Sequence, residues 1–526
     1  MKKIMLAILF VVVFSTMSVA SPFKHPIDFS HLEDVQIVKA FRTSALSEAI
    51  SYDPRITGQV TPVKNQSPHG SCSSFGTIAS LESTYLKRTG NIKTFSEWHF
   101  LYFSFTDMSP SLPGFTVIDW SPYIGGEPYD LFSQDGSAWQ STAILSRWNA
   151  IVDESVNPWP SDYNWRQQGN VPSLNTTEVA RLEHVYHMRY GRDEQRNSNN
   201  FDIQTVKYTI SNYGAVSFYL TWNHDSFNFD TNSYNYRGPI LTSGHIATIV
   251  GWDDNYSKNN FVTKPTNDGA WLAKNSWGAS WGDGGYFWIS YECSTLATPA
   301  VFITGDANNF DNIYQYDPLG WSSSYGYNTD TAWFSNVFET SNSSSNIKNV
   351  EKEILKAVSF YTAQTNSTYR IEVRTDVTNN NPSSGKLENI VEGTLNFSGY
   401  HTIRFTENIV LEPNTVFSIV VRLKTPNYNK PIPLEEPVVN YSDKARAEAN
   451  QSFISRDGNE WTDLTTVVRN TNVCIKAFTN KSSRVPDVDP IPADGSSGGG
   501  GCSINSFGSI SSILLLAPLA LLLKKF

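Results

Sequence analysis

The apolar residues of this 526-residue chain change their spacing near residue 210, and that change limits the folds it can adopt. After Cys72 they recur at helical intervals up to Leu86, and Gly90 follows as a residue suited to ending a helix. Two further helical patterns cover Ser137–Trp148 and Ile203–Ile210. Helices followed by strands predict an α+β domain. The later apolar runs are short, lack helical spacing and predict strands at 215–219, 245–252, 271–273 and 285–291.

A polar segment, Gly305–Asn309, precedes a region in which strand patterns dominate. In Arg370–Arg374 polar and apolar residues alternate strictly, as they do in a strand with one buried face. Turns rich in Asn and Ser separate the runs, so the pattern predicts an antiparallel β-sandwich of about 170 residues. The other predicted strands of this region are 357–361, 402–405, 416–423 and 473–478.

The N-terminus has the pattern of an export signal. Lys2 and Lys3 precede an apolar run from Ile4 to Phe14, and Ser18–Ala20 supplies small residues for cleavage. A membrane anchor is the alternative, but the run is short for spanning a bilayer. We therefore expect a mature chain that begins near Ser21.

The C-terminus joins a glycine-rich spacer to an apolar segment and a basic end. Cys502 follows Gly495–Gly501, and residues 504–523 number 20 (523 − 504 + 1), enough to cross a bilayer with Lys524 and Lys525 on the cytoplasmic side. This order resembles the C-terminal sorting signals of bacterial surface proteins. Either the tail is cut, with Cys502 as a processing or lipid-attachment site, or it stays as a permanent anchor.

Charge and cysteine content exclude two classes of protein. A net charge of −10 with no long basic run argues against a nucleic-acid binder. Four cysteines are few for an exported protein held together by disulfides. Besides Cys72 and Cys502, the chain has Cys293 and Cys474, which either bridge the middle and last domains or remain buried thiols.

Four side chains on separate motifs suggest nucleophilic catalysis. Cys72 stands where a helix begins, and a helix N-terminus and an imidazolium both stabilise a thiolate. A lone cysteine is more often a buried core residue, and His245, at the head of a strand-like run, would alone be read as a hydrogen-bonded core histidine. Asn275 can fix the tautomer of an imidazole, Trp277 can shield that bond from water, and Gln66 can offer its amide to an oxyanion.

At these motifs the chain resembles the papain-like cysteine peptidases, over about residues 52–293. The resemblance implies a helical left lobe and a β-barrel-like right lobe, with no metal and no cofactor. The segments that carry it are Val60–Gln66, Ser71–Cys72, Phe95–Glu97, Gly244–His245 and Asn275–Gly278.

The resemblance also implies a role for each residue of the motifs. Cys72 would be the nucleophile and His245 the general base and acid. Asn275 would orient the histidine, and Gln66 would complete the oxyanion hole with the backbone N–H of Cys72. Trp277 would shield the His–Asn pair.

Further positions match less closely or depart from the family. Gly136 would pair with the substrate through its backbone. The family usually has a cysteine three residues before the nucleophile and a tryptophan directly after it, where this chain has His69 and Ser73. His69 is either a second catalytic group or, as we favour, a loop residue. The long spacing from Cys72 to the histidine predicts insertions in Ser161–Asn200.

The segment Asp311–Trp321 leads into a sandwich that resembles the lectin-like domain following this peptidase in some bacterial surface proteins. "Lectin-like" describes its shape, and a docking or spacer role is as well supported by the sequence as binding of a surface glycan or protein. The predicted parts are a signal peptide (1–20), an N-terminal segment (21–51), the peptidase domain (52–304), the sandwich (305–480), a stalk rich in Pro, Gly and Ser (481–501) and a sorting or transmembrane tail (502–526).

The leading hypothesis is therefore an exported, envelope-associated cysteine endopeptidase that acts on proteins or peptides and contacts the membrane through its tail. The main alternative is a catalytically weakened surface adhesin that binds through the sandwich. A different thiol-dependent amidase or transferase fits the catalytic residues but not the flanking motifs.

Overall fold

The computed structural model describes residues 46–116, 134, 136–160, 171–174, 176–188, 190–192, 199–239, 244–340, 351–378 and 381–483. The predicted signal peptide, most of the N-terminal segment, nearly all of the stalk and the C-terminal tail lie outside these residues. Within the described ranges, no helix is both long and apolar enough to cross a membrane.

The first helix begins at Cys72, as the apolar spacing predicts. It ends before Gly90, whose backbone N–H donates to the carbonyl of Leu86. One other helix starts at Glu97, where the hydroxyl of Ser96 accepts from the backbone N–H of His99. The helices among the described residues are α1 (Cys72–Thr89), α2 (Glu97–Phe105), α3 (Ala138–Ser146) and α4 (Ile203–Asn212).

Strands make up most of the remaining regular structure, and all four strands predicted after residue 210 are present in the peptidase part. The first twelve strands are β1 (Ser51–Tyr52), β2 (Ala180–His187), β3 (Tyr190–Arg192), β4 (Asn199–Phe201), β5 (Val216–Thr221), β6 (Phe227–Asn228), β7 (Ser233–Tyr234), β8 (Gly244–Asp253), β9 (Ala270–Lys274), β10 (Tyr286–Ser290), β11 (Ala297–Asp306) and β12 (Asn312–Gln315). The other twelve are β13 (Ser323–Tyr325), β14 (Thr331–Glu339), β15 (Glu353–Thr362), β16 (Ser367–Thr375), β17 (Lys386–Leu395), β18 (Ser398–Leu411), β19 (Val416–Lys424), β20 (Ile432–Glu435), β21 (Ser452–Ser455), β22 (Thr462–Asp463), β23 (Asn472–Val473) and β24 (Ile475–Lys481).

The sheet of the right lobe places two predicted site residues at one end of neighbouring strands. Strands β11, β5, β8, β9 and β10 lie side by side and are antiparallel. His245 is the second residue of β8, and Asn275 directly follows β9. Because the pair β8–β9 is antiparallel, the start of β8 and the end of β9 lie at the same end of the two strands.

The C-terminal part is a β-sandwich, as predicted. One layer has the strand order β12-β24-β15-β18, and the other has the order β17-β16-β19-β14-β21-β22. Buried apolar side chains of both layers, among them Phe360 and Val421, fill the space between them.

The sheet does not stop where the sequence places the domain boundary. Strand β2 pairs with β11 along one edge and with β18 of the sandwich along the other, where His187 lies opposite Ser398. The Arg404 guanidinium on β18 is 2.8 Å from the buried carboxylate of Glu183 on β2. Strand β2 lies in the region where insertions are predicted, so that region joins the peptidase part to the sandwich.

The cysteines contribute no cross-link among the described residues. Cys293 and Cys474 are fully buried and form no disulfide, which decides between the two alternatives. Burial raises the pKa of both thiols, so neither is an activated nucleophile.

Candidate active site

Cys72 is the first residue of α1 and is partly exposed. The N-terminal end of a helix favours negative charge, so a thiolate is stabilised there. One turn further on, Gly76 lies against the start of β8, where a Cβ atom would come within 2.4 Å of Ile246 Cγ2. Gly76 therefore lets the first turn of α1 approach the residue next to His245, a requirement that the sequence analysis missed.

His245 is held by Asn275 in a buried position. Its Nε2 lies 2.8 Å from Asn275 Oδ1, which also accepts from the backbone N–H of Ser276 at 2.8 Å. Since Oδ1 can only accept, Nε2 carries the proton and Nδ1 remains to act toward a thiol. Burial lowers the pKa of His245 to about 4, while the bond to Asn275 acts in the opposite direction.

Four hydrogen bonds fix Gln66 on the loop before α1, one of them from the backbone N–H of His69 to the Gln66 carbonyl at 2.9 Å. Its Nε2 donates to the His69 carbonyl at 2.9 Å, and its Oε1 accepts from the Ser276 hydroxyl at 2.5 Å. Its backbone N–H also donates to the Ser276 carbonyl at 2.8 Å. The amide is therefore oriented before any substrate arrives, with a second Nε2 hydrogen still available as a donor.

A group of aromatic rings covers the His–Asn pair. The Trp277 ring lies 4.7 Å from the His245 ring, a position compatible with shielding, which stays a prediction. Trp222 and Trp281 pack edge-on against Trp277 at 4.8 and 5.0 Å. Trp222 lies in none of the recognised motifs, and nothing in the local sequence singles it out.

Gly136 lies beside the residue that follows the nucleophile. A Cβ atom at this position would be 2.9 Å from Ser73 Oγ, so the backbone of Gly136 passes close to the first turn of α1. It also precedes Ser137, the residue that caps α3. This position is compatible with backbone pairing to a substrate, which stays a prediction.

One of the two family departures, His69, packs against a tryptophan that sequence reasoning missed. His69 is 1% exposed, its Nε2 lies 3.3 Å from the Pro160 carbonyl, and its ring packs edge-on against Trp159. Trp159 also packs against Phe75 at 4.7 Å. The packing supports the reading of His69 as a buried loop residue. It anchors the loop before Cys72 to residues 159–160.

A buried cluster of charges joins the segment before the site to α1 and α2. The Lys64 ammonium lies 2.8 Å from Glu82, 2.9 Å from Glu97 and 3.1 Å from Glu154. Burial raises the pKa of Glu97 to about 8, although Lys64 lowers it. Lys274, next to Asn275, is also buried, and burial lowers its pKa to about 8.

These groups are of the types that nucleophilic attack on a carbonyl requires, and their catalytic roles stay predictions. A thiol at a helix start, an oriented imidazole and an oriented amide donor are the components that such chemistry needs. No group of three or more His, Cys, Asp or Glu side chains within the described residues is arranged to hold a metal ion.

The fold is that of the papain-type cysteine peptidases, joined to a β-sandwich. A model of the papain family of cysteine proteases matches residues 49–104 and 133–302, and a model of the lectin-like domain matches residues 313–479. The two segments that match the papain family thus precede the residues that match the lectin-like domain.

Two solved structures have the same combination of domains. The clostridial cysteine protease Cwp84 after propeptide cleavage is 26% identical, with a TM-score of 0.66 over 82% of this chain and 100% of that one. The cysteine protease and lectin-like domains of Cwp84, a surface layer associated protein of Clostridium difficile, are 26% identical, with a TM-score of 0.64 over 84% and 91% of the two chains.

Two curated relatives each match less than half of this chain. Ananain of Ananas comosus is 24% identical over 254 residues, which are 47% of this chain and 56% of ananain. Fruit bromelain of the same plant is 28% identical over 240 residues, or 45% and 53% of the two chains. The chain thus spans a little over half the length of these relatives.

Proposed function

We propose that the chain is a cysteine endopeptidase that hydrolyses peptide bonds through Cys72. The observation that carries this proposal is the pair His245–Asn275, with 2.8 Å between Nε2 and Oδ1, beside the helix that begins at Cys72. A buried imidazole whose pKa is lowered to about 4 holds a proton at neutral pH only next to a negative charge. A Cys72 thiolate is the group that would supply it.

In the proposed reaction, the thiolate attacks the peptide carbonyl carbon and forms a C–S bond. The oxyanion accepts hydrogen bonds from the Gln66 amide and the backbone N–H of Cys72. The C–N bond then breaks as His245 donates its proton to the leaving amine. Water, giving a proton to His245, attacks the thioester, and the acid product leaves as the thiolate forms again.

We further propose that the protein acts outside the cytoplasm, at the cell envelope. The support comes from the predicted signal peptide and sorting tail and from the likeness to a surface layer associated protease. Its substrates would be proteins or peptides, and the lectin-like domain would contact a surface glycan or protein. Export is tested by sequencing the N-terminus of the protein from the envelope, which we expect to begin near Ser21.

An epoxide reagent that carries a peptide and reacts with activated thiols separates a peptidase from a catalytically inert adhesin. We expect it to label the wild type and Cys293→Ala, which lacks only a buried thiol, but not Cys72→Ala. Peptide cleavage should follow the same pattern. Equal labelling of the wild type and Cys72→Ala, with no cleavage by either, would contradict the proposal and favour the adhesin.

A further inference from the structure

Helix α3 connects the substrate side of the site to the lectin-like domain. At its N-terminal end, the backbone of Gly136 passes within contact distance of Ser73, next to Cys72. Along its length, the Ser141 hydroxyl lies 2.9 Å from the hydroxyl of Thr77 on α1. The position of α3 therefore sets how closely the backbone at residue 136 approaches Ser73 at the start of α1.

The opposite side of α3 rests on the segment that opens the lectin-like domain. Gly320 has φ +65°, and a Cβ atom there would come within 2.6 Å of Ala143 Cβ on α3. The Trp321 ring packs edge-on against Trp139 of α3 at 5.0 Å. Trp139 in turn stacks on His187 of β2 at 3.6 Å. Backbone and ring contacts of this kind leave α3 little room to shift.

The C-terminal end of α3 is fixed to the same segment. Arg147, 1% exposed, donates from Nη2 to the Phe103 carbonyl of α2 at 2.8 Å. Its Nη1 donates to the Pro113 carbonyl and, at 3.5 Å, to the Pro318 carbonyl of the lectin-like domain. One buried guanidinium thus holds α2, α3 and residues 318–321 in a common arrangement.

We propose that the lectin-like domain positions the substrate cleft: Gly320 and Trp321 support α3, and α3 places the Gly136 backbone beside Cys72. They are positioning residues, because they act through α3 and not on the reacting atoms. The inference rests on the proposed peptidase function. It gives this domain a part in peptide binding in addition to any contact with a surface partner.

The test compares two reagents on Trp321→Ala. A peptidyl epoxide needs the cleft as well as the thiolate, whereas iodoacetamide needs only the thiolate. We expect a rise of about ten- to a hundredfold in KM for a peptide substrate and a similar slowing of epoxide labelling, as for a misplacement near 1 Å. The pH profile of iodoacetamide alkylation and kcat should stay close to those of the wild type.

Two further variants separate positioning from general stability. Trp321→Phe keeps a ring against Trp139 and should restore most peptide binding. Leu423→Ala removes a buried side chain between the two sandwich layers, so it should lower the melting temperature without raising KM.

The outcomes distinguish this inference from the function on which it rests. If Trp321→Ala, when folded, keeps the wild-type KM and epoxide rate, or if it loses iodoacetamide reactivity in parallel, the positioning role is wrong. A wild-type protein whose iodoacetamide profile is that of an ordinary thiol, with no peptide cleavage, would overturn the peptidase function and this inference together.

Discussion

At the scale of single residues, the charge state of His245 depends on what lies beside it. Burial lowers the pKa of its imidazole to about 4, and the hydrogen bond to Asn275 raises it. The bond can be removed by a single substitution that leaves the imidazole ring in place. Asn275 therefore controls the pH range in which an imidazolium–thiolate pair exists.

Replacement of Asn275 by alanine should shift the alkaline limb of the activity profile to lower pH. The bond from Nε2–H to Oδ1 favours the protonated ring, so its loss lets the imidazolium give up its proton earlier. A hydrogen bond to a charged group contributes ~1.5–3 kcal/mol, which corresponds to a loss of about ten- to a hundredfold in kcat/KM. The pH dependence of kcat/KM on a fluorogenic peptide measures both.

The control is Asn228→Ala, an asparagine of the same lobe whose amide donates to the Asn260 carbonyl. It should leave the alkaline limb in place. An unchanged limb in Asn275→Ala would mean that the bond does not stabilise the imidazolium.

Gln66 and Ser276 should act as one unit. Gln66→Ala removes a side-chain donor to the oxyanion and is expected to lower kcat by about 10²–10³. Ser276→Ala removes the bond that orients the amide and should have a smaller effect in the same direction. In the double variant the two losses should not add, because the serine has no amide left to orient. Full additivity of the two losses in kcat would show that Ser276 acts independently.

The residues that could be predicted lie in short sequence motifs, whereas those that could not are brought to the site by the tertiary fold. Cys72, His245, Asn275 and Gln66 were expected because each lies in a short motif and the motifs occur in a fixed order, though their catalytic roles stay predictions. Trp222 reaches Trp277 across 55 positions (277 − 222), so only the folded right lobe brings them together.

At the scale of elements, the Lys64 cluster fixes the segment before the site against two helices. Glu82 is on α1 and Glu97 begins α2, and both carboxylates lie within 3 Å of the same ammonium group. Charges so well removed from water are retained only when they are paired or neutralised. Burial raises the pKa of Glu97 to about 8, although the Lys64 charge acts in the opposite direction.

The stability of the wild type relative to Glu97→Gln should therefore fall as pH rises from about 4.5 to about 8. In this window folded Glu97 holds a proton that the unfolded chain, with an ordinary pKa of 4.5, has lost. The slope is at most about 1.4 kcal/mol per pH unit. Urea unfolding at several pH values measures the difference.

Glu412→Gln is the matched control, since this carboxylate also pairs with a lysine, Lys352, at 2.6 Å but is 58% exposed and lies outside the Lys64 cluster. Its stability should keep the pH slope of the wild type. Parallel curves for the wild type and Glu97→Gln would mean that Glu97 is ionised in the folded protein.

Elements with a regular apolar period were predictable, and those defined by their partners were not. The spacing after Cys72 gave α1, and the alternation in Arg370–Arg374 gave β16. Strand β2 was missed because both of its edges are covered by strands that occur more than 100 residues later, so no local turn signals its pairing.

At the scale of the whole molecule, the peptidase part and the lectin-like domain share a cluster of buried apolar residues in addition to the clusters of their own. A single cluster of buried apolar residues includes Ile78 and Trp98 from the first and Leu319 and Tyr400 from the second. Together with the pairing of β2 and β18, this makes the described part of the chain one folding unit across the predicted boundary.

Residues 46–306 without the lectin-like domain should not fold cooperatively. The fragment lacks β18, so the backbone groups along one edge of β2 have no partner strand. The apolar side chains of the shared cluster are also exposed. Circular dichroism on heating should show no sharp transition, and co-expression with residues 307–483 should restore one. A monomeric, active fragment with a cooperative transition would contradict the prediction.

The pairing of β2 with β18 can form only late in the synthesis of the chain. His187 leaves the ribosome 211 residues before its partner Ser398 (398 − 187), a delay of about 10–40 s at 5–20 residues per second. During that interval the sheet that supports the cleft is incomplete. We therefore expect a nascent or prematurely terminated chain to lack an assembled cleft, and the proposed hydrolysis to require the second domain.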